Sequence, residues 1–191
     1  LSGTIGTGTR ALNDEALASQ IEKAFKMKPA AVALQVNSPG GSAVQSSLIA
    51  ARIRRLADER KIPVHAFVED VAASGGYWLA CAADDIWVDP SSIVGSIGVL
   101  MDGFGFVGTL NKLGVERRLL TAGANKGFLD PFSPQSDEQR RYAQTMLDQI
   151  HKQFIAVVKQ GRGDRLKETP ETFSGLFWTG EQAIGLGLIG F

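Results

Sequence analysis

The first part of the chain alternates apolar residues at helical spacing with short apolar runs. Residues 13–27 predict a helix that Asn13 caps, with Ile21 and Phe25 on its apolar face. Residues 31–36 form a brief run that is almost wholly apolar, which favours a strand buried on both faces, as in a parallel sheet. A helix followed by a buried strand is therefore the first structural prediction.

The same alternation continues to the end of the chain. We expect a helix at residues 42–60 and then a strand at residues 63–68. The residues of this helix that we expect to point inward are Leu48, Ile49, Ile53 and Leu56. The later predicted elements are strands at residues 86–88 and 115–120, with a further apolar run at 95–101 that continues the pattern. The later predicted helices are a short one from about Gly75, those at 106–113 and 136–160, and a last short one after Thr179. This order predicts an α/β domain with a mainly parallel sheet, flanking helices and right-handed crossovers.

Length and charge limit the class of protein. A chain of 191 residues can bury an ordinary core, and we expect a single domain. Lys plus Arg number 20, as do Asp plus Glu, so the chain lacks the basic excess of a nucleic-acid binder. No run reaches the roughly 18 consecutive apolar residues of a membrane span. Because the chain opens at Leu1 rather than at a methionine, we expect a segment upstream of it.

Histidine and cysteine are scarce. The two histidines, His65 and His151, lie within a predicted strand and a predicted helix, and we interpret both as core or surface residues. Together with the single Cys81 they form no recognisable zinc motif, so we expect no metal and no cofactor. Cys81 lies in a run of small residues, which favours a buried structural thiol. A Ser-His-Asp triad is therefore not predicted.

Ser74 occupies the junction between a predicted strand and a predicted helix, with only alanines and glycines as neighbours. A serine at such a turn presents its hydroxyl above the sheet edge, and the next amide, from Gly75, points to where an oxyanion would form. Close packing of a helix against a strand would also explain the small residues. The segment alone leaves both interpretations open.

A second glycine-rich turn, at residues 37–41, also lies between a predicted strand and a predicted helix. Two such turns can supply two free amides, which is what an oxyanion hole requires. The Gly40-Gly41-Ser42 segment is a weaker candidate for binding phosphate, because it lacks the spacing of the known phosphate loops. We therefore favour acyl transfer over phosphate binding.

A serine nucleophile needs a base, and without a suitable histidine a lysine kept neutral by desolvation or by cationic neighbours is the remaining choice. Lys126 is the best candidate, because it lies in a long loop at residues 121–134 among small and apolar residues. An ordinary exposed lysine is the alternative interpretation.

These motifs together resemble the signal peptide peptidase A family, the S49 serine peptidases, in its short single-domain form. The motifs that carry the resemblance are residues 37–41 (NSPGG), 72–77 (AASGGY), 95–99 (GSIGV) and 178–183 (WTGEQA), and they occur in the family's order. The resemblance implies a ClpP/crotonase-like fold and one S49-type catalytic domain over residues 1–191.

The resemblance also implies roles for individual residues. Ser74 would be the nucleophile, Lys126 the base, and Ser96 the hydroxyl that positions the lysine amine. Gly41 and Gly75 would supply the oxyanion amides, and Gly40 would belong to the substrate-binding site. It further implies peptide substrates such as cleaved signal peptides or unfolded hydrophobic peptides, a homo-oligomeric ring, and a membrane anchor upstream of Leu1 that holds the catalytic part outside the cytoplasm.

Two alternatives stay open at this point. A crotonase-type acyl-CoA hydratase or isomerase would use the same glycine amides with a carboxylate, for which Glu69 and Asp70 are the nearby candidates. A scaffold that keeps the fold without the reaction is the second alternative. Binding of CoA would favour the first, and failure of a folded oligomer to react with a serine-directed reagent would favour the second.

Overall fold

The computed structural model describes residues 1–190, which contain one mixed sheet. Its strands are β1 (Val32–Ser38), β2 (Val64–Ala73), β3 (Asp85–Val88), β4 (Ile93–Gly95) and β5 (Phe177–Thr179). β2 pairs in parallel with β1, β3 and β4, whereas β5 pairs antiparallel with β4. The prediction of an α/β fold with a mainly parallel sheet is confirmed.

The helices follow the predicted order. They are α1 (Asp14–Lys26), α2 (Ala43–Arg60), α3 (Gly75–Ala80), α4 (Val107–Leu113), α5 (Asp137–Arg162) and α6 (Gly180–Gly185). Asn13 caps α1 by accepting the Ala16 N–H at 2.9 Å, as the sequence predicts. Thr179 and Gln182 form a capping box at the start of α6.

The chain folds into two compact units. The first unit contains residues 1–98 and 151–190, and the second contains residues 99–150. The sheet, α1, α2, α3 and α6 belong to the first unit, and α4 belongs to the second. The single domain expected over residues 1–191 stays a prediction.

The core of the first unit lies between one face of the sheet and the helices. Its fully buried side chains include Phe25, Val36, Ile49, Ile53, Tyr77, Ile86 and Phe154. Trp78 of α3 stacks on Phe154 of α5 with a centroid distance of 4.9 Å. These contacts fix the short helix that begins directly after Ser74.

Two details of burial differ from the sequence predictions. β1 is buried on one face only, because Val32, Leu34 and Val36 are buried whereas Ala33 and Gln35 are exposed. Leu48 does not point inward: its side chain is 46% exposed, whereas that of Ile49 is fully buried. Successive helical residues differ by about 100° around the axis, so adjacent apolar residues do not share one buried face.

The second unit is held together mainly by aromatic contacts. Phe106 stacks on Phe132 with centroids 5.3 Å apart, and the guanidinium of Arg117 lies 5.7 Å from the Phe132 ring. The strand predicted at residues 115–120 is wrong, because this exposed segment forms no ladder with any strand of the described residues. Across residues 1–190, no helix is both long and apolar enough to cross a membrane.

Candidate active site

Ser74 lies in a strained turn between β2 and α3. Its backbone has φ 51° and ψ −123°, a region that costs a residue with a side chain about 1–3 kcal/mol. The Ser74 N–H donates to Gly95 O at 2.8 Å, and the Ser74 carbonyl accepts from the Trp78 N–H at 3.0 Å. The hydroxyl does not cap α3, so these backbone bonds hold the turn and leave the side chain free. Ser74 is half-buried at the carboxyl end of a parallel strand, where α/β proteins commonly bind ligands.

The glycine turn at residues 38–41 lies directly against this serine turn. A side chain at Gly40 would come within 2.7 Å of Gly75 N and 2.8 Å of Ser74 Cβ. A side chain at Gly76 would come within 2.3 Å of Ser38 O. The two turns therefore touch through bare backbone at Gly40 and Gly76, which explains one glycine of each pair. The other two are required by different neighbours, because a side chain would meet Ile5 O at Gly41 and Ser46 Oγ at Gly75.

Each turn carries an amide N–H that has no hydrogen-bond acceptor among the described residues. The Ile5 N–H donates to Gly40 O and the Ser42 N–H donates to Ile5 O, both at 2.9 Å, so the intervening Gly41 N–H points away from Ile5. Gly75 is the first residue of α3 and has no helical acceptor for its N–H. Within residues 1–190, neither N–H donates to a backbone carbonyl of a turn, a loop or a helix cap. Such donors suit an oxyanion.

Gly40 differs from its neighbour. Its N–H donates to Ser38 Oγ at 3.2 Å, and its carbonyl accepts from Ile5. Both polar groups are therefore engaged inside the chain, and the predicted contact of Gly40 with substrate would depend on its Cα. That role stays a prediction.

Ser96 follows the end of β4 as Ser74 follows the end of β2. The register pairs Ala73 with Gly95, so both serines come directly after the same rung of the sheet. Ser96 is half-buried, has φ 52°, and donates its N–H to Leu176 O at 2.7 Å. The first unit thus brings together Ser74, Ser96 and the two glycine amides.

Lys126 belongs to the second unit. Its N–H donates to Gly123 O at 3.1 Å in a tight turn, and its side chain is exposed. Nearby, Phe128 packs edge-on against Tyr142 with centroids 5.6 Å apart. The pairing of Lys126 with Ser74 therefore stays a prediction.

The other ionisable candidates each lie close to a polar atom of the first unit, although His65 Nδ1 makes no hydrogen bond among the described residues. His65 Nδ1 lies 3.3 Å from an Asp85 carboxylate oxygen, and His151 Nε2 lies 3.0 Å from Ile97 O. Asp70, a candidate for the acyl-CoA reaction, accepts from the Asn37 amide at 2.6 Å. Glu69, the other such candidate, likewise accepts from the Gln35 amide. No group of three or more His, Cys, Asp or Glu that could hold a metal ion comes together within the described part of the chain.

The sequence interpretation missed two residues of the site, Ser38 and Ile5. Ser38 is fully buried and binds the Gly40 N–H, and Ile5 supplies the backbone groups that orient the same turn. A serine two residues before a glycine is a recognised turn signal that could have indicated Ser38. The pairing with Ile5 has no local signal, because it joins distant parts of the chain.

The family model of peptidase family S49 matches residues 57–191 of the chain. The chain belongs to this family. Apart from Val99, the four motifs singled out in the sequence lie in the first unit, and the 72–77 and 95–99 motifs contain Ser74 and Ser96.

Curated relatives extend the comparison. The Na(+)/H(+) antiporter NhaA of Brucella melitensis is 54% identical over 99% of this chain and 26% of its own length. Protease 4 of Haemophilus influenzae is 33% identical over 83% of this chain and 26% of its own length. The chloroplastic serine protease SPPA of Arabidopsis thaliana is 30% identical over 99% of this chain and 28% of its own length. The chain thus spans about a quarter of each of these proteins.

A solved structure supports the fold. A membrane-bound stomatin-specific protease matches 99% of this chain and 74% of its own with a TM-score of 0.58, at 20% sequence identity. At that identity the likeness concerns the fold alone. The same α/β architecture therefore exists in a protein that is named as a protease.

Proposed function

We propose that this chain is the catalytic domain of a serine endopeptidase with Ser74 as nucleophile and Lys126 as general base. The observation that carries the proposal is the Ser74 turn, in which a strained serine with a free hydroxyl packs against the glycine turn at residues 38–41. Each of the two turns carries an N–H without a backbone acceptor. Membership of a peptidase family favours this reaction over acyl-CoA chemistry. Glu69 and Asp70 each accept a hydrogen bond from a side-chain amide, which also favours the peptidase reaction over acyl-CoA chemistry.

The reaction follows from the chemistry of these groups. The neutral Lys126 amine removes the proton from the Ser74 hydroxyl, and the serine oxygen attacks a peptide carbonyl carbon. The carbonyl oxygen becomes an oxyanion, which the Gly41 and Gly75 N–H groups stabilise. The C–N bond then breaks, and the lysine ammonium gives its proton to the leaving amine. Water hydrolyses the acyl-serine in the same way and restores both residues.

A lysine base must be shielded from water, because a solvated amine is held in its charged form. Lys126 is exposed in this chain, so the proposal requires that substrate or a second copy of the chain covers it. The Ser96 hydroxyl would then hold the amine toward Ser74. This requirement makes assembly part of the proposed function.

The apolar surface of the second unit supports assembly into a homo-oligomeric ring. Its exposed residues include Leu100 at 78%, Phe104 at 81%, Leu113 at 70% and Leu120 at 97% of their accessible surface. Large apolar side chains that are this exposed, and in this number, favour a surface that contacts another chain. The proposed substrates are cleaved signal peptides or other unfolded hydrophobic peptides. Membrane association through a segment upstream of Leu1 also stays a proposal.

Labelling with a fluorophosphonate probe tests the dyad. We expect modification of Ser74 that increases from weakly acidic to alkaline pH, because the base must be neutral to act. Ser74→Ala and Lys126→Ala should each lower peptide hydrolysis by at least about 10²-fold. Peptide mass spectrometry locates the label, and a fluorogenic peptide measures hydrolysis.

Matched controls separate the dyad from general damage. Ser92→Ala removes another hydroxyl of the first unit, a buried one, and Lys112→Ala removes another exposed amine of the second. Both variants should keep wild-type labelling. Full activity in folded Lys126→Ala would eliminate the lysine mechanism, and absence of labelling in a folded oligomer would favour a scaffold.

A further inference from the structure

Ser38 is a fully buried serine at the end of β1, beside the proposed active site. Its Oγ accepts a hydrogen bond from the Gly40 N–H at 3.2 Å. Burying a hydroxyl costs free energy unless the group forms a hydrogen bond. The partner of the Ser38 hydroxyl, the Gly40 N–H, lies within the turn that carries the Gly41 amide. The bond therefore acts on the turn rather than on the sheet.

The bond restricts a segment that is otherwise highly flexible. Gly40 and Gly41 have φ angles of 99° and 141°. Glycine adopts such angles readily, but it adopts many other conformations as readily. Ser38 Oγ holds the N–H of Gly40, and the Ile5 N–H holds its carbonyl. With Gly40 held on both sides, the peptide group that carries the following Gly41 N–H is also held, and this N–H points away from Ile5.

Ser38 also contacts the nucleophile turn. A side chain at Gly76 would come within 2.3 Å of the Ser38 carbonyl oxygen and 3.1 Å of Ser38 Cβ. The residue thus touches the turn that contains Gly41 and the helix that begins with Gly75. Ser38 therefore contacts both segments that carry the proposed oxyanion amides.

We propose that Ser38 is a positioning residue of the oxyanion hole, acting through the Gly40–Gly41 turn. The inference rests on the proposed function, because it presumes that the Gly41 and Gly75 amides stabilise an oxyanion. Ser38 neither takes a proton from substrate nor contacts the reacting atoms. Its effect should therefore appear in the transition state and leave substrate binding unchanged.

Ser38→Ala tests the inference with Ser92→Ala as its matched control. Ser92 is also a buried serine whose Oγ accepts a backbone N–H at 3.2 Å, in this case from Asp89. Its hydroxyl additionally donates to the Glu69 carbonyl, so Ser92→Ala should lower the melting temperature at least as much as Ser38→Ala does. Only the bond of Ser38 lies in the oxyanion turn.

We expect Ser38→Ala to lower kcat for a fluorogenic peptide by about 10- to 10²-fold, because a displaced donor loses part of the 10²–10³-fold that a whole donor contributes. KM should stay within about twofold of the wild-type value. The dependence of fluorophosphonate labelling on pH should keep its wild-type shape, since the base is unchanged. Ser92→Ala should keep the wild-type kcat.

The outcomes separate this inference from the proposed function. An active wild-type protein in which Ser38→Ala and Ser92→Ala have equal kcat would overturn the positioning role alone. A rise in KM without a change in kcat would also overturn it, because Ser38 would then act on binding. A wild-type protein that neither hydrolyses peptide nor becomes labelled at Ser74 would overturn the proposed function and the inference with it.

Discussion

The hydroxyl and thiol side chains at the two ends of α3 differ in burial. Ser74 precedes the helix and is half-buried, whereas Cys81 follows it and is 5% exposed. Desolvation raises the pKa of the Cys81 thiol to about 12, although the nearby Arg162 opposes this rise. A thiol in this environment is neutral near neutral pH and is therefore a weak nucleophile.

We expect Cys81 to resist iodoacetamide in the folded protein and to react once the protein is unfolded. The same pKa difference affects stability. Between the unfolded thiol pKa of about 8.5 and the folded value of about 12, the unfolded state loses the proton first, so the free energy of unfolding falls as pH rises. Denaturant titrations in alkaline buffer measure this fall, and Cys81→Ala should reduce it. Rapid alkylation of the native protein would contradict the assigned burial.

At the scale of elements, the geometry of the proposed site depends on the contact between the glycine turn and the serine turn. Gly40→Ala should separate the turns, because its methyl group would lie within 2.8 Å of the Ala73 carbonyl oxygen and Ser74 Cβ. We expect a loss of at least about 10²-fold in kcat/KM, since a misplacement of about 1 Å can have that effect. Peptide hydrolysis and thermal denaturation of the same variant measure it.

Gly3→Ala is the matched control for this substitution. Gly3 has φ 111° and no atom within 4 Å of an added side chain, so alanine there carries the backbone strain without the collision. Gly3→Ala should lose stability through strain and keep its activity. Equal activities in the two variants would mean that the contact between the turns has no role in catalysis.

Local patterns predicted most elements because each had its own signal. Asn13 ahead of an apolar helix face predicts the start of α1. The small residues around Ser74 predict the turn before α3 that carries the proposed nucleophile. The apolar run at residues 115–120 also had the composition of a strand, but a strand requires a partner that no local pattern can supply. The one-sided burial of β1 likewise depends on which helices cover the sheet.

The site was predictable in part for the same reason. Ser74, Gly41 and Gly75 belong to short motifs with their own turn chemistry, whereas the contribution of Ile5 arises only when the chain folds back on itself. Lys126 was chosen by elimination among residue types. Its side chain is exposed and its loop belongs to the second unit, so its pairing with Ser74 stays a prediction.

The two units of the whole molecule differ in how much they bury. The first unit holds every buried residue of the described chain, and none of residues 99–150 is buried. Segments with few buried contacts open at low free-energy cost. We therefore expect amides of α4 to exchange with solvent much faster than those of α2 or β2 in a dilute sample.

Raising the protein concentration should slow exchange at residues 99–120 if a ring forms, because neighbouring copies would cover their apolar side chains. Hydrogen exchange combined with light scattering measures protection and mass on the same sample. Leu120→Asp should keep the fast exchange at every concentration, whereas Lys112→Ala should behave as wild type. Slow exchange in a sample that stays monomeric would contradict the proposed assembly.

The positive φ of Ser74 limits which nucleophiles evolution or an engineer could place there. Cysteine has the same unbranched shape at Cβ, so Ser74→Cys would place a thiol at the proposed nucleophile position without rebuilding the turn. Threonine carries a branched Cβ, which is a severe outlier at φ near 51°. The backbone of this turn is thus compatible with serine and cysteine as nucleophiles and incompatible with threonine.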